Sequence, residues 1–136
     1  MKAVFADTSY FVACAGPHDE HHARAIALSE SLLGRIVTTE YVLVEAGGLL
    51  CRRRDRLAFA GMVRDLTSDP ATLIVPASWT LFEAGFDLFV RRPDKEWSLV
   101  DCISFEIMRR RRLMDALTSD HHFAQAGFRA LMAEAE

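Results

Sequence analysis

The sequence predicts an α/β fold: a parallel sheet of four or five strands with helices on both faces. Three observations carry that reading. After Lys2, the opening stretch Ala3-Val4-Phe5-Ala6 runs small and apolar until it stops at Asp7-Thr8-Ser9, the composition of a central strand covered on both sides. Short, largely apolar runs recur at Ile36-Val37-Thr38, Thr72-Leu73-Ile74-Val75 and Leu113-Met114-Asp115-Ala116-Leu117-Thr118. Between them lie longer stretches of helical character, and strands alternating with helices imply one parallel sheet with a helical layer on each side.

Length and composition bound the rest. A chain of 136 residues, 51% apolar and 26% charged, is expected to form a single soluble domain over residues 1–136 with a sizeable core. Cys14, Cys51 and Cys102 are far apart and form no CxxC pair, which argues against a zinc site or a disulfide frame and for a reducing compartment. No apolar run approaches the ~20 residues that span a bilayer, and no segment resembles a signal peptide. The expectation is a cytoplasmic protein with no membrane partner.

Taken in order, Tyr10-Phe11-Val12-Ala13 begins a short helix broken at Gly16-Pro17. A second helix is expected from His18-Asp19-Glu20 to about Leu33, with Ala23, Ile26 and Ala27 on its apolar side. Thr38 or Thr39 then caps a helix through Tyr41 to Leu50. Glu45 is the only charge between Tyr41 and Cys51, and its neighbours three and four residues away are Tyr41, Val42, Gly48 and Leu49. A half-buried carboxylate there needs a cation or a metal, while a lone solvated glutamate is the plainer alternative. The adjacent Gly47-Gly48 costs about 1 kcal/mol per residue against alanine, which suggests that something approaches the backbone closely. Arg56 to Leu66 reads as an amphipathic helix ended by Ser68-Asp69-Pro70. After the strand at Thr72-Leu73-Ile74-Val75, Ser78 caps a helix whose apolar stripe through Trp79, Leu81, Phe82, Phe86 and Phe89 is expected in the core, with part of it available as a dimer face. Ser98-Leu99-Val100-Asp101 opens the next helix as a near capping box. A last helix starts at His121-His122-Phe123, and Phe128 to Leu131 offers a fifth strand.

The net charge is −3, and 14 of the 16 basic residues are arginine. They gather at Arg52-Arg53-Arg54 and Arg109-Arg110-Arg111-Arg112. Arginine suits phosphate recognition, so Arg52, Arg53, Arg109 and Arg110 are candidate nucleic-acid contacts. Both runs also read as helix ends, where cations complement the dipole; the two readings are compatible.

Two strands end in aspartate, at Ala6-Asp7 and at Leu117-Thr118-Ser119-Asp120. If those strands are neighbours, both carboxylates lie on the carboxyl edge of the sheet, the usual place for a ligand. A right-handed crossover brings the helix start at Asp101 to the same edge, and Glu45 can join from its apolar helix. Asp7 and Asp101 keep a structural alternative, since each stands where a helix cap is expected. Four carboxylates without a lysine repel one another unless a cation joins them, and an all-oxygen set suits Mg²⁺ or Mn²⁺. A metal so held can activate water and neutralise a phosphate under attack.

The motifs Ala6-Asp7-Thr8-Ser9, Glu45 within its helix, Ser98-Leu99-Val100-Asp101-Cys102-Ile103-Ser104-Phe105 and Ala116-Leu117-Thr118-Ser119-Asp120-His121-His122-Phe123 resemble those of PIN-domain ribonucleases, above all the VapC-type toxins of bacterial toxin–antitoxin pairs. The resemblance covers essentially the whole chain. It implies a PIN-like three-layer sandwich and endonucleolytic hydrolysis of RNA dependent on Mg²⁺ or Mn²⁺. It makes Asp7, Glu45, Asp101 and Asp120 the acidic catalytic site, with Asp7, Asp101 and Asp120 on the metal. Thr8, Ser9 and Ser119 become supporting hydroxyls, with Asp115 near the site. It further implies a homodimer and a cognate antitoxin over the active site. A housekeeping RNA-processing PIN nuclease or a non-catalytic PIN-like binding module would share these motifs. A receiver domain would need an aspartate after the third strand, where Val75-Pro76-Ala77 stands, and an Asp-x-Asp phosphatase fails because position 9 is Ser. A metal-free ribonuclease using His121 and His122 as base and acid is a further rival.

Overall fold

In the computed structural model, which describes residues 2–32 and 34–133, the chain enters at the middle of the sheet. Strand β1 (Ala3–Ala6) leads into helix α1 (Thr8–Ala15), and α2 (His22–Ser31) leads to β2 (Arg35–Thr39). Helices α3 (Glu40–Leu49) and α4 (Arg53–Ser68) follow, then β3 (Leu73–Val75), α5 (Trp79–Arg91) and α6 (Leu99–Arg110). The chain closes with β4 (Asp115–Leu117), α7 (His121–Gln125) and β5 (Arg129–Ala130). The five strands run in the order β3-β2-β1-β4-β5, and each neighbouring pair is parallel. The chain therefore builds outward from β1 to β3, then returns to build outward again from β4. Right-handed crossovers put α1 to α4 on one face and α5 to α7 on the other. In accord, α1 packs against α2, α3 and α4, while α5 lies along α6.

The core between sheet and helices is aromatic at its centre. Phe105 meets Trp97, Phe123 and Phe128 with ring centroids 5.0, 4.9 and 5.7 Å away. Phe5, Ile103, Met108 and Leu117 are all fully buried with it. Burying such a side chain contributes roughly 1.5–3 kcal/mol each, which anchors α6 and α7 to β1 and β4.

Several expectations need correction. The second helix begins at His22 rather than His18; residues 17–21 form turns in which Asp19 accepts the backbone N–H of His21. Leu33 lies outside the described residues. The expected approach to both glycines holds only at Gly47, where a Cβ would sit 3.2 Å from the Phe59 ring; at Gly48 it would meet nothing within 4 Å. The aromatic stripe of α5 lies largely outside the core. Of the expected residues only Leu81 is buried and Phe82 packs against the core, with Gly85 and Leu88 buried beside them, while Trp79, Phe86 and Phe89 are 69%, 47% and 45% exposed. The helix carries two apolar stripes, and the slimmer one faces α6. Gly85 is the reason: a Cβ there would lie 2.9 Å from the Ile103 Cα, so the helices approach more closely than a bulky seam would allow.

Candidate active site

The site is built where β1 and β4 end side by side. Ala6 pairs with Leu117, so Asp7 and Thr118 are the next residues beyond a shared register, and the Asp7 backbone N–H donates to the Leu117 carbonyl at 3.1 Å. This is the point where strand order reverses, with β2 on one side of β1 and β4 on the other, the place where open α/β sheets bind ligands. Asp7 is 4% exposed and stands at the N-cap position of α1 without using its side chain as a cap. Its Oδ2 accepts from Thr118 Oγ1 at 2.7 Å and from Ser9 Oγ at 3.3 Å. Ser9 Oγ also accepts the Ser119 backbone N–H at 3.0 Å, and Thr118 Oγ1 accepts that of Asp120 at 3.0 Å. Two hydroxyls thus tie the loop after β4 to the loop after β1.

Asp101 arrives from the start of α6. Ser98 Oγ accepts the Asp101 N–H, and the Asp101 carboxylate accepts the Ser98 N–H, both at 3.0 Å. The capping box forms, and the same carboxylate lines the cleft, so capping and a place in the site are compatible. Asp120 caps α7 by accepting the His122 N–H at 2.9 Å. His122 Nδ1 lies 3.2 Å from both Asp101 Oδ2 and Asp120 Oδ1, joining the two elements. Glu45 enters from the second turn of α3, whose start is fixed by Thr39 Oγ1 accepting from Val42 N at 3.1 Å. Thr38 instead donates to the Ala6 carbonyl at 2.8 Å. Half-buried, Glu45 accepts from Thr8 Oγ1 at 2.5 Å.

These groups surround a cleft of about 400 Å³ lined by Asp7, Thr8, Glu45, Asp101, Asp120 and His122, with Glu96 at its side. Among the described residues lining it, none is lysine or arginine. Burial is the main force that pushes the Asp7 carboxyl up to about 7, and the charges of Asp101 and Asp120 push the same way, against the hydrogen bond from Thr118. Burial also raises Asp101, helped by Asp120 and opposed by the Ser98 N–H and His122. A divalent cation supplies the positive charge this cluster lacks, and hard carboxylate oxygens suit Mg²⁺ or Mn²⁺. The donor set therefore fits a metal.

Other expected site residues are placed elsewhere. Asp115 opens β4 at the amino edge of the sheet and is held by Lys2 and Arg129 at 3.0 Å each. Its short distance from Asp120 in sequence is the length of the strand between them. Arg109 and Arg110 close α6, more than two turns or about 13 Å along the helix from Asp101, and Arg109 pairs with Glu106 at 3.0 Å. Arg52 and Arg53 do not line the acidic cleft. Ser119 contributes its backbone N–H. Thr118 and His122 contact the clustered carboxylates; the sequence reads Thr118 only as the last residue of a strand and His122 only as a candidate acid or base.

Residues 4–129 match the PIN domain family. The chain is 33% identical over 126 residues to the 23S rRNA-specific endonuclease VapC20 of Mycobacterium tuberculosis, covering 92% of this chain and 95% of that protein. The crystal structure of Mycobacterium tuberculosis VapC20, described as a sarcin–ricin loop cleaving toxin, superposes with a TM-score of 0.83 at 29% identity, covering 92% and 95% of the two chains.

Proposed function

Since the chain belongs to the PIN-domain family, as an endoribonuclease of the VapC toxin type, we propose that Asp7, Asp101 and Asp120, with Glu45 alongside, hold Mg²⁺ or Mn²⁺ and cut ribosomal RNA. PIN-domain nucleases are generally metal-dependent. The observation that carries the reading is the buried Asp7 carboxyl with Asp101 and Asp120 beside it and no cationic side chain among the described residues lining the cleft.

The ion, when bound, neutralises charge on the phosphate and acidifies a water. The chain's own residues do the rest. Thr118 and Ser9 orient the Asp7 carboxylate from behind. Ser98 and His122 do the same for Asp101, and His122 with α7 does it for Asp120. Thr8 holds Glu45 toward the cleft, where it can steer or receive a proton from the attacking water. Orientation of this kind is worth about tenfold to a hundredfold in metal affinity or activity.

VapC20 supplies the substrate class, so the proposed target is the sarcin–ricin loop of 23S rRNA. We propose a homodimer through the exposed aromatic face of α5, a cognate antitoxin over the cleft, and a cytoplasmic site of action. Three free cysteines suit a reducing compartment, and among the described residues no helix is long and apolar enough to cross a membrane. The test is cleavage of a 23S rRNA fragment with Mg²⁺ or Mn²⁺ and with EDTA, alongside Asp7→Asn. Cleavage that needs the metal and is lost in the variant supports the reading; cleavage that survives EDTA or Asp7→Asn overturns it.

A further inference from the structure

Beside the acidic cleft lies a feature that helix termination does not explain. The run Arg52-Arg53-Arg54 does not close α3; Arg52 is the N-cap residue of α4, and Arg53 and Arg54 are its first two residues. Cations are disfavoured at that positive end of the helix dipole. Among the described residues Arg52 and Arg53 have no acidic partner, and Arg54 reaches Asp55 only at 3.8 Å with its side chain 77% exposed. A groove of about 300 Å³ lies between the 16–19 loop and the α3–α4 junction, with Pro17, His18, Arg52 and Arg54 among its walls. Val12 and Leu49 line both this groove and the acidic cleft, so the two are adjacent. The groove's walls also carry two acids: Asp19 accepts the backbone N–H of His21, and Asp55 faces Arg54 at 3.8 Å.

We propose that this groove is the track for the RNA strand flanking the bond that is cut, with Arg52 and Arg54 on its phosphates. The inference rests on the ribonuclease reading of the cleft. Guanidinium groups fit phosphate oxygens in pairs, and they give an acidic protein a local attraction for a polyanion. Cations at a helix start, Arg52 without an acidic partner among the described residues and Arg54 only loosely paired with Asp55, beside a groove next to an acidic site, are explained by a ligand that carries the counter-charge. An acidic protein is not attracted to RNA by its net charge, so the attraction has to be local.

The test uses the full chain and a labelled single-stranded oligoribonucleotide, with binding followed in EDTA across a range of NaCl concentrations. Replacing Arg52→Gln and Arg54→Gln together should weaken binding roughly tenfold or more and make the plot of log affinity against log salt shallower by about 1.4, at ~0.7 for each phosphate no longer neutralised. Arg52→Lys with Arg54→Lys should keep the wild-type slope, and Arg110→Gln with Arg111→Gln should change neither slope nor affinity. The Gln pair should melt at or above the wild-type temperature, because cations leave the positive end of α4. An unchanged slope, a slope that flattens in the Lys pair as well, or a melting temperature several degrees lower overturns the track. Asp7→Asn separates the two readings: if it still cleaves RNA the acidic site fails, while the salt slope reports on the groove regardless.

Discussion

Asp7 is an acid whose surroundings oppose its charge. Burial, with Asp101 and Asp120 nearby, takes its carboxyl from 3.8 to about 7. Between those two values the folded chain keeps a proton that the unfolded chain releases, so the Asp7 contribution to stability is complete below 3.8 and is lost as pH rises through about 7. At about 1.4 kcal/mol per unit, the loss amounts to a few kcal/mol. Melting in EDTA across that window is expected to show the slope, and Asp7→Asn to flatten it and to raise the metal-free melting temperature at neutral pH. Mg²⁺ should then stabilise the wild type and not the variant. An equally steep slope in Asp7→Asn would place its origin in another group. Thr118 gives a second expectation: Thr118→Val removes the 2.7 Å donor to Asp7 and should lower cleavage about tenfold to a hundredfold, with Thr118→Ser restoring most of it. Asp7 was legible because it ends an apolar run, and Glu45 because it is the one charge in an apolar helix. Thr118 was not, since a β-branched residue at a strand end looks like any other. His122 was hidden because its partner Asp101 stands 21 positions away.

At the scale of elements, type and order were legible, while boundaries and faces failed where two signals overlapped. Only Leu50 and Cys51 separate the last residue of α3 from the N-cap of α4. An arginine run after so short a joint reads equally as an end or a beginning, and the structure makes it a beginning. In α5 the bulkier stripe attracted the core assignment, yet close approach to α6 selected the one containing Gly85. Gly85→Ala is therefore expected to cost about 1–3 kcal/mol through overpacking, read by denaturant unfolding; a neutral result would mean that α5 shifts freely on α6. The stripe left outside bears on assembly. Trp79 stacks on Phe82 and Phe82 on Phe86, with centroids 5.3 and 6.2 Å apart, while Trp79 and Phe86 remain exposed. Phe86→Glu should leave the fold intact and convert a dimer to a monomer in sedimentation. A dimer that survives the change would remove α5 from its interface.

Across the whole molecule, the sheet keeps its acids in two different states. At the amino edge Asp115 is matched by Lys2 and Arg129, and at the carboxyl edge Asp7, Asp101 and Asp120 share a cleft without a lysine or arginine among the described residues lining it. Asp115→Asn is thus expected to lower stability by roughly 1–3 kcal/mol and to leave the cleavage rate of the folded protein unchanged. The parallel sheet was legible from the alternation of segments, and so were the strand ends at Asp7 and Asp120, but that β1 and β4 are neighbours was not, because the pairing joins residues more than a hundred positions apart. The carboxyl edge also decides the chemistry between two kinds of ribonuclease. Attack by the substrate's own 2′-hydroxyl requires a base and an acid on opposite sides of the phosphate and leaves a 2′,3′-cyclic phosphate. His121 and His122 are neighbours on one short helix, with ring centroids 4.4 Å apart; His121 is largely exposed, and His122 is engaged by Asp101 and Asp120. Neither is placed to work across a phosphate from the other. Hydrolysis by an external water, with charge compensated at the carboxylates, releases the 3′-oxygen and leaves a 5′-phosphate. Mapping the ends of the cleaved RNA is therefore expected to show 5′-phosphate and 3′-hydroxyl termini, with His121→Ala active and Asp7→Asn inactive. Cyclic phosphate termini, or full activity in EDTA, would hand the reaction to the histidines and leave the acidic cleft without a catalytic role.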